Sequence, residues 1–263
     1  MKKSLFVVTA ASAALVLAGS AMAGSEDSKN QKDHGHELHW SYGGAGGPEQ
    51  WGNLKSEFSA CKGTQQSPIN IQTKEALGAT LTKIKFNWKD SALNIKNNGH
   101  TIQANYDGGS SIEVNGGKFN LLQYHFHTPS EHALNGKLYD MEVHFVHKAA
   151  DGALAVVGVF FKEGAENKAL STVWNHMPTT EGEKKVSGVT ISAQNLLPAN
   201  TNKYYHYMGS LTTPPCNEVV NWYVLENPIE ASKAQVKALA DLFTVNNRPV
   251  QPLNRRFVLA SEE

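Results

Sequence analysis

The sequence lacks any run of basic residues, and it has only one long apolar stretch, at its N-terminus. Its 24 lysines and arginines balance 24 aspartates and glutamates, so the charge pattern calls for no nucleic-acid partner. No second stretch of about 20 apolar residues follows, so we predict no membrane span. Cysteine is almost absent too, with two residues in the whole chain.

The N-terminal stretch has the three parts of a secretory signal peptide. Lys2 and Lys3 form a positive start, an apolar run covers residues 5–17, and Ala21-Met22-Ala23 offers a cleavage site. We therefore predict a removable signal peptide over residues 1–23 and a periplasmic or secreted location. Cleavage would leave 240 of 263 residues, with 22 basic against 24 acidic side chains, in a soluble protein.

Residues 24–36 (GSEDSKNQKDHGH) are polar and show no hydrophobic periodicity. They are typical of a flexible leader, because chain termini are poorly ordered unless tied down. His34, His36 and His39 could bind stray metal there, although a solvated tail is the simpler interpretation of the first two. We predict one domain over residues 37–263, since the sequence shows no linker.

The two cysteines are Cys61 and Cys216. An even number of cysteines in an exported chain suggests one disulfide. The alternative is two unrelated buried thiols.

Dipeptides that favour tight turns are frequent between residues 97 and 152, and short alternating runs separate them. The run at Val143, Phe145 and His147 is an example, and period two predicts antiparallel strands. The apolar run of residues 153–161 predicts a central strand buried on both faces. The turn dipeptides are Asn98-Gly99, Asp107-Gly108, Asn115-Gly116, Asn135-Gly136 and Asp151-Gly152.

Two segments have the spacing of amphipathic helices. The first has apolar residues at Leu170, Val173, Trp174 and Met177. The second has Val236, Leu239, Ala240 and Phe243, preceded by a capping box of Ser232 and Gln235. The fold class is therefore mainly β, with a few peripheral helices.

The segment LLQYHFHTPSEH at residues 121–132 is unusually rich in histidine. In a strand, His125 and His127 share one face, and an antiparallel hairpin turning near Asn135-Gly136 could bring His144 beside them. Three imidazoles without thiolate leave a fourth tetrahedral position open, which is typical of a catalytic Zn²⁺ site rather than a structural finger.

Two polar residues are placed to orient these ligands. Gln123 and Glu142 each lie two residues from a histidine on the same strand face, and metal-bound imidazoles usually donate their other N–H to such groups. The alternative is a β-sheet core that happens to contain histidines.

A cupin metal site is another alternative, because His125, His127 and Glu131 fit the first motif of that jelly-roll family. A cupin would use Glu131 as a ligand. Its second motif should carry a Gly/Pro pattern shortly before the final histidine, and residues 139–143 (YDMEV) have neither residue.

An ordered series of motifs across nearly the whole mature chain resembles the α-class carbonic anhydrases. The series is His39-Trp40-Ser41-Tyr42, Gly47-Pro48-Glu49-Gln50-Trp51, Gln66-Ser67-Pro68-Ile69-Asn70-Ile71, Asn97-Asn98-Gly99-His100, Gln123-Tyr124-His125-Phe126-His127, Ser130-Glu131-His132, Glu142-Val143-His144, Gly209-Ser210-Leu211-Thr212-Thr213-Pro214-Pro215 and Asn254-Arg255-Arg256. The resemblance implies a single domain built on a large, twisted, mostly antiparallel sheet.

The resemblance also implies residue roles. His125, His127 and His144 match the zinc ligands, with Gln123 and Glu142 as their hydrogen-bond partners. Thr212 matches a gatekeeper threonine whose proton Glu131 accepts, and His100 matches the proton shuttle. Two further sets are implied: the water path (Tyr42, Asn98, Gln103, Thr213) and the apolar wall for carbon dioxide (Val146, Val156, Leu211, Val220, Trp222).

Two departures are visible. Gln103 and Thr128 stand where many animal members have Asn and Trp, and neither change touches the metal chemistry. The resemblance also implies that Cys61 and Cys216 form the disulfide of secreted and bacterial members.

The implied activity is reversible hydration of carbon dioxide to bicarbonate and a proton by zinc-bound hydroxide, with one Zn²⁺ per chain. Sulfonamide and anion inhibitors are expected from the resemblance, and a homodimer is compatible with it. A different class of function, a periplasmic zinc-binding or zinc-buffering protein, draws support from the histidine-rich leader. A hydration activity that a chelator removes would favour the enzyme.

Overall fold

The structure is a computed structural model that describes residues 39–262. The predicted signal peptide (1–23) and flexible leader (24–36) lie outside the described residues, as do His34 and His36, and these remain predictions. Among residues 39–262, no helix is long and apolar enough to cross a membrane.

Sixteen strands and three α-helices are the regular elements of the described chain, together with three short 3₁₀ segments. The strands are β1 (Asn70–Ile71), β2 (Leu77–Ala79), β3 (Lys85–Asn87), β4 (Ser91–Asn97), β5 (Ile102–Asn105), β6 (Ser111–Val114), β7 (Gly117–His127), β8 (Ala133–Leu134), β9 (Lys137–Leu138), β10 (Met141–Lys148), β11 (Leu154–Glu163), β12 (Gly182–Ile191), β13 (Tyr204–Gly209), β14 (Val220–Leu225), β15 (Ile229–Ala231) and β16 (Leu259–Ser261). The helices are α1 (Trp51–Leu54), α2 (Lys168–Trp174) and α3 (Lys233–Phe243). The 3₁₀ segments are Gly44–Gly46, Ser56–Lys62 and Ala193–Leu196.

One large mixed sheet of 13 strands dominates the fold. Its main path runs β12-β4-β5-β7-β10-β11-β14-β13-β16-β2, with β3, β6 and β15 paired beside it. Most neighbours are antiparallel, and the parallel pairs are β11–β14, β11–β15 and β16–β2. A small second sheet holds β1, β8 and β9. The mainly β, mostly antiparallel fold class is therefore confirmed.

All five predicted turn dipeptides fall between consecutive strands. At the turn between β6 and β7, Asn115 and Gly116 have φ values of 51° and 76°, which asparagine and glycine adopt most easily. The Asn135-Gly136 turn closes the small hairpin β8–β9 rather than joining β7 directly to β10. That small hairpin is inserted between the two long strands, which still pair antiparallel as expected.

The core lies on both faces of β11, as its apolar run predicts. Val157 and Val159 belong to one buried cluster, whereas Val156 and Phe160 belong to a second cluster across the sheet. Each strand residue alternates between faces, so a strand covered on both sides must be apolar throughout. The second cluster lies on the face that also carries His144 of β10.

The two predicted helices are present, but α2 is shorter than its apolar spacing suggested. It begins after Asn167, whose side chain accepts a hydrogen bond from Leu170 N, and it ends at Trp174. Met177 therefore lies outside the helix, because Pro178 follows it and disfavours helical backbone there. The Ser232–Gln235 capping box at the start of α3 is formed as predicted.

Cys61 and Cys216 form the predicted disulfide, with 155 residues between them in the sequence. The bridge joins the 3₁₀ segment Ser56–Lys62 to the loop that follows β13. Cys216 belongs to the loop that carries Thr212, and Cys216 N donates to Thr213 O at 2.9 Å.

Candidate metal centre

Three histidines converge on one face of β7 and β10. His125 pairs directly with His144 across the two strands, and His127 pairs with Glu142, so all four side chains share that face. Ring centroids of the three histidines lie 4.6–5.4 Å apart. One nitrogen from each ring falls within 4.8 Å of the others.

Each imidazole is oriented through its other nitrogen. His125 Nδ1 lies 2.8 Å from Gln123 Oε1, and His127 Nδ1 lies 2.7 Å from the backbone carbonyl of Asn246. His144 Nε2 lies 2.9 Å from the Glu142 carboxylate. These contacts leave Nε2 of His125, Nε2 of His127 and Nδ1 of His144 as the ligand nitrogens.

The donor set fits Zn²⁺. Three neutral imidazoles with a fourth position open form the usual catalytic zinc site. His127 Nε2 and Glu131 Oε2 are buried without a hydrogen-bond partner, and buried polar atoms are rarely left in that state. A cation held by the three rings would satisfy the nitrogen.

Electrostatics keep two of the rings neutral. Burial lowers the pKa of His125 well below its ordinary value, and the neighbouring His127 and His144 rings act in the same direction. Burial also lowers the pKa of His127, although the Glu131 carboxylate opposes it. A neutral imidazole has a lone pair for a metal, so these shifts favour metal binding.

His144 behaves differently because of Glu142. Burial would lower the pKa of His144, but the Glu142 carboxylate in contact with it and the nearby Glu131 carboxylate together outweigh burial and raise it. Burial would raise the pKa of Glu142, but the His132 and His144 rings hold it well below its ordinary value. Glu142 is therefore an ionised acceptor, as the orienting partner of a metal ligand should be.

A buried network behind Glu142 had no role in the sequence analysis. Glu142 Oε2 accepts from the backbone N–H groups of Glu131 and His132, both at 2.9 Å, and Oε1 contacts His132 Nδ1 at 2.8 Å. His132 Nε2 then contacts Tyr207 Oη at 2.6 Å, and Tyr207 donates to Ser67 Oγ. Glu142 thus connects a buried hydrogen-bonded network to His144, one of the three candidate ligands.

Glu131 lies beside the ligands, fully buried. Its Oε2 is 3.5 Å from His127 Nε2 and 3.7 Å from His144 Nδ1. Its Oε1 accepts a 2.8 Å hydrogen bond from Arg248 N. Thr212 is buried, and within residues 39–262 no hydrogen bond joins it to Glu131, which leaves Glu131 Oε2 open to a donor.

The predicted shuttle, His100, lies at the wall of a cavity of about 840 Å³. Asn98, Tyr42 and His39 line the same cavity, and none of the three candidate ligands does. The Asn98 side chain accepts from His100 N, which holds the turn. Tyr42 Oη is buried without a partner, and burial, then the Glu131 charge, raise the pKa of Tyr42 well above its ordinary value.

The remaining predicted residues lie on the same side of the sheet as the histidines or in the loop after β13. Gln103 pairs with His125 across β5 and β7, and its Nε2 donates to Asn105 Oδ1 at 2.6 Å. Thr213 is half-buried. The predicted apolar wall belongs to the second core cluster, with Val156, Val220 and Trp222 buried and Val146 and Leu211 packed against them.

Asn246 is the main residue that sequence reasoning missed. Its carbonyl holds His127, and its side chain donates to His100 O and Phe126 O while accepting from Thr128 N. It lies 119 residues from His127 in a segment without periodicity. The only sequence feature that could have drawn attention to Asn246 is its position shortly before the Asn254-Arg255-Arg256 motif.

Comparisons with known proteins agree with this geometry. The family model for eukaryotic-type carbonic anhydrase matches residues 46–262. Carbonic anhydrases from Neisseria gonorrhoeae and a Nostoc species are 45% and 44% identical to the chain, covering 86% and 84% of it and 89% and 86% of their own lengths. The solved α-carbonic anhydrase of Thermovibrio ammonificans, in complex with sulfanilamide, is 46% identical with a TM-score of 0.82, covering 84% of this chain and 98% of its own.

Proposed function

The chain belongs to the eukaryotic-type, or α-class, carbonic anhydrases, and we propose that it hydrates carbon dioxide reversibly with Zn²⁺ held by His125, His127 and His144. The observation that carries the proposal is the convergence of three imidazoles, two of them buried and that of His125 half-buried; the rings of His125 and His127 each have their second nitrogen hydrogen-bonded to a protein oxygen. That arrangement presents lone pairs to one point, which is what a catalytic zinc site requires.

Carbon dioxide is a weak electrophile, and neutral water is a weak nucleophile. When bound by three imidazoles, Zn²⁺ lowers the pKa of a water molecule to about 7, a value long established for carbonic anhydrases themselves. The protein must then hold the substrate, orient the attack and remove one proton per turnover.

Glu131 and Thr212 orient the attack. Glu131 Oε2 is buried and lacks a hydrogen-bond partner, so it is ready to accept the Thr212 hydroxyl proton. Once its hydroxyl hydrogen is donated to Glu131, Thr212 Oγ1 can act only as an acceptor. It then accepts a hydrogen bond from the attacking oxygen, which turns a lone pair of that oxygen toward the carbon. We also assign four residues to the path by which water connects the metal to His100. They are Tyr42, Asn98, Gln103 and Thr213.

Carbon dioxide is apolar, so an apolar wall suits it better than a polar one. The buried side chains of Val156, Val220 and Trp222, with Val146 and Leu211 packed against them, form such a wall beside His144, whose ring lies 4.8 Å from Trp222. His100 removes the proton, because imidazole titrates near neutrality and sits in the cavity wall.

Inhibition and location follow from the same proposal. The Thermovibrio ammonificans relative was solved with sulfanilamide, and we expect sulfonamides and small anions to inhibit this chain at the metal. The disulfide favours an oxidising compartment, which fits the predicted signal peptide and a periplasmic or secreted location.

Zinc content and carbon dioxide hydration, measured on the same sample, test the proposal. We expect one zinc per chain, loss of hydration on chelation and recovery when Zn²⁺ is added back. His127→Ala should lower zinc affinity sharply and abolish hydration, because two imidazoles do not hold a catalytic zinc. His176→Ala, beyond α2, is the matched histidine control. Zinc bound stoichiometrically without hydration would favour a zinc-binding protein instead.

A further inference from the structure

A second histidine lies against the proposed proton shuttle. His39 Nε2 is 3.1 Å from His100 Nε2, which is hydrogen-bond distance, and the two ring planes lie within 19° of each other. A neutral imidazole has one N–H and one lone pair, so one ring donates to the other through a single proton. We infer that His39 is a second relay station, which takes the proton from His100 and delivers it to solvent.

The surroundings hold His100 in this outward contact. Its ring stacks on Trp40, with centroids 3.6 Å apart and planes within 15°. Trp40 in turn meets the buried Trp51 edge-on at 5.3 Å. Both backbone polar groups of His100 are hydrogen-bonded. Its N–H donates to Asn98 Oδ1, and its carbonyl accepts from Asn246 Nδ2. Ring and backbone together keep Nε2 aimed at His39.

The exposure of the two rings gives the relay a direction. His100 is half-buried in the cavity wall, whereas His39 is exposed. A proton that leaves cavity water therefore reaches His100 first and bulk solvent after His39. Because both groups are imidazoles, the handover needs no strong base.

The proton balance closes at each ring. His100 gains a proton at Nδ1 and loses one from Nε2, and His39 gains that proton at Nε2 and loses one from Nδ1 to water or buffer. No electrons move and no heavy-atom bond breaks. The starting tautomers return when each ring exchanges with water: His39 loses its Nε2 proton and regains one at Nδ1, and His100 loses its Nδ1 proton and regains one at Nε2, so neither ring changes its proton count.

The charges around His100 support release rather than storage of the proton. Within the part of the chain that the structure describes, the titratable groups facing it are His39, Glu181 and Tyr42. Burial lowers the pKa of His100, the His39 ring lowers it further, and the Glu181 carboxylate opposes both. Positive charge on both neighbouring imidazoles at once is unfavourable, so a protonated His100 gives up its proton readily.

The inference rests on the proposed carbonic anhydrase function, and one pair of variants tests it in the zinc-loaded enzyme. His39→Gln keeps a side chain that can hydrogen-bond to His100 but cannot carry a proton, whereas His39→Ala removes both properties. We expect both variants to slow net hydration in weak buffer by roughly 3- to 10-fold, less than loss of acid–base assistance as a whole. Added imidazole should restore the rate, and isotope exchange between carbon dioxide and bicarbonate should stay unchanged. His176→Gln should behave as the native enzyme.

A His39→Gln variant with the native hydration rate would overturn the relay, because a hydrogen bond alone would then suffice. Proton NMR titration of His100 provides a readout that does not depend on activity, and both variants should raise the apparent pKa of His100. An unchanged His100 titration would overturn the pairing. If the native enzyme hydrated no carbon dioxide, the proposed function would fail, while the titration would still decide whether the two rings share a proton.

Discussion

The backbone carbonyl of Asn246 accepts a 2.7 Å hydrogen bond from Nδ1 of His127, and the Asn246 side chain donates to the carbonyl of His100. One buried residue therefore fixes the distance between a candidate zinc ligand and the loop of the proposed shuttle. This link joins β7, which carries two of the candidate ligands, to the cavity wall.

Asn246→Ala should destabilise the protein and weaken zinc binding. The change leaves Thr128 N and the carbonyl of His100 without their partner, whereas Phe126 O keeps its hydrogen bond from Thr101 Oγ1; buried unsatisfied groups cost about 1–3 kcal/mol each, so we expect a loss of about 3 kcal/mol in the free energy of unfolding. Urea unfolding measures the loss. The neighbouring Asn247→Ala, which removes one hydrogen bond to Ser130 O, is the control, and an equal effect of the two variants would contradict the role of Asn246.

Glu142→Ala should retain zinc but weaken its binding about 10- to 100-fold, the usual cost of removing a group that orients a ligand. The carboxylate lies 2.9 Å from His144 Nε2. Competition with a chelator of known affinity measures the change. Glu142→Gln keeps the shape and removes the charge, so it distinguishes packing from electrostatics. Native zinc affinity in both variants would remove Glu142 from the support of the metal.

His100→Ala should keep zinc and isotope exchange while slowing net hydration by about 10- to 100-fold, the lower range of acid–base assistance. The proton must leave the cavity in every turnover, and no tethered base would remain in its place. Imidazole added to the assay should recover much of the rate. Loss of isotope exchange, or indifference to imidazole, would show that His100 has a structural role.

His147 should make the protein sensitive to acid. Burial lowers its pKa to about 3, whereas an unfolded histidine titrates near 6.5, so between those values the unfolded chain binds a proton that the folded chain does not. This stability is fully present above pH 6.5 and is lost as the pH falls, by about 2 kcal/mol at pH 5. In His147→Asn, the loss between pH 7.5 and pH 5 should be smaller by that amount. Parallel pH profiles in urea unfolding would contradict the assignment.

Replacing both Cys61 and Cys216 by serine should lower the free energy of unfolding by up to about 5 kcal/mol, because the bridge closes a loop of 155 residues in the unfolded chain. Urea unfolding of the two proteins under non-reducing conditions measures the difference. Addition of a reductant to the native protein should lower its free energy of unfolding toward that of the variant. Equal stability of variant and oxidised protein would show that the loop constraint contributes nothing.

The sequence by itself determined the local features of this protein. Period-two alternation places His125 and His127 on one strand face, Asn-Gly pairs supply residues that tolerate positive φ at the turns, and Ser232 with Gln235 starts α3. These features depend on backbone geometry within a few residues, so a single sequence contains them. The motif resemblance extended them to a family and a set of roles.

Only the tertiary structure decided which remote groups complete the site. Asn246 reaches His127 across 119 residues, Arg248 N reaches Glu131 across 117, and Tyr207 reaches His132 across 75. No periodicity connects such pairs, because they meet only when the sheet closes and each buried polar atom must find a partner. The early end of α2 has a local cause in Pro178 and could have been predicted, whereas the contact between His39 and His100 arises because the folded chain brings two distant loops to one cavity.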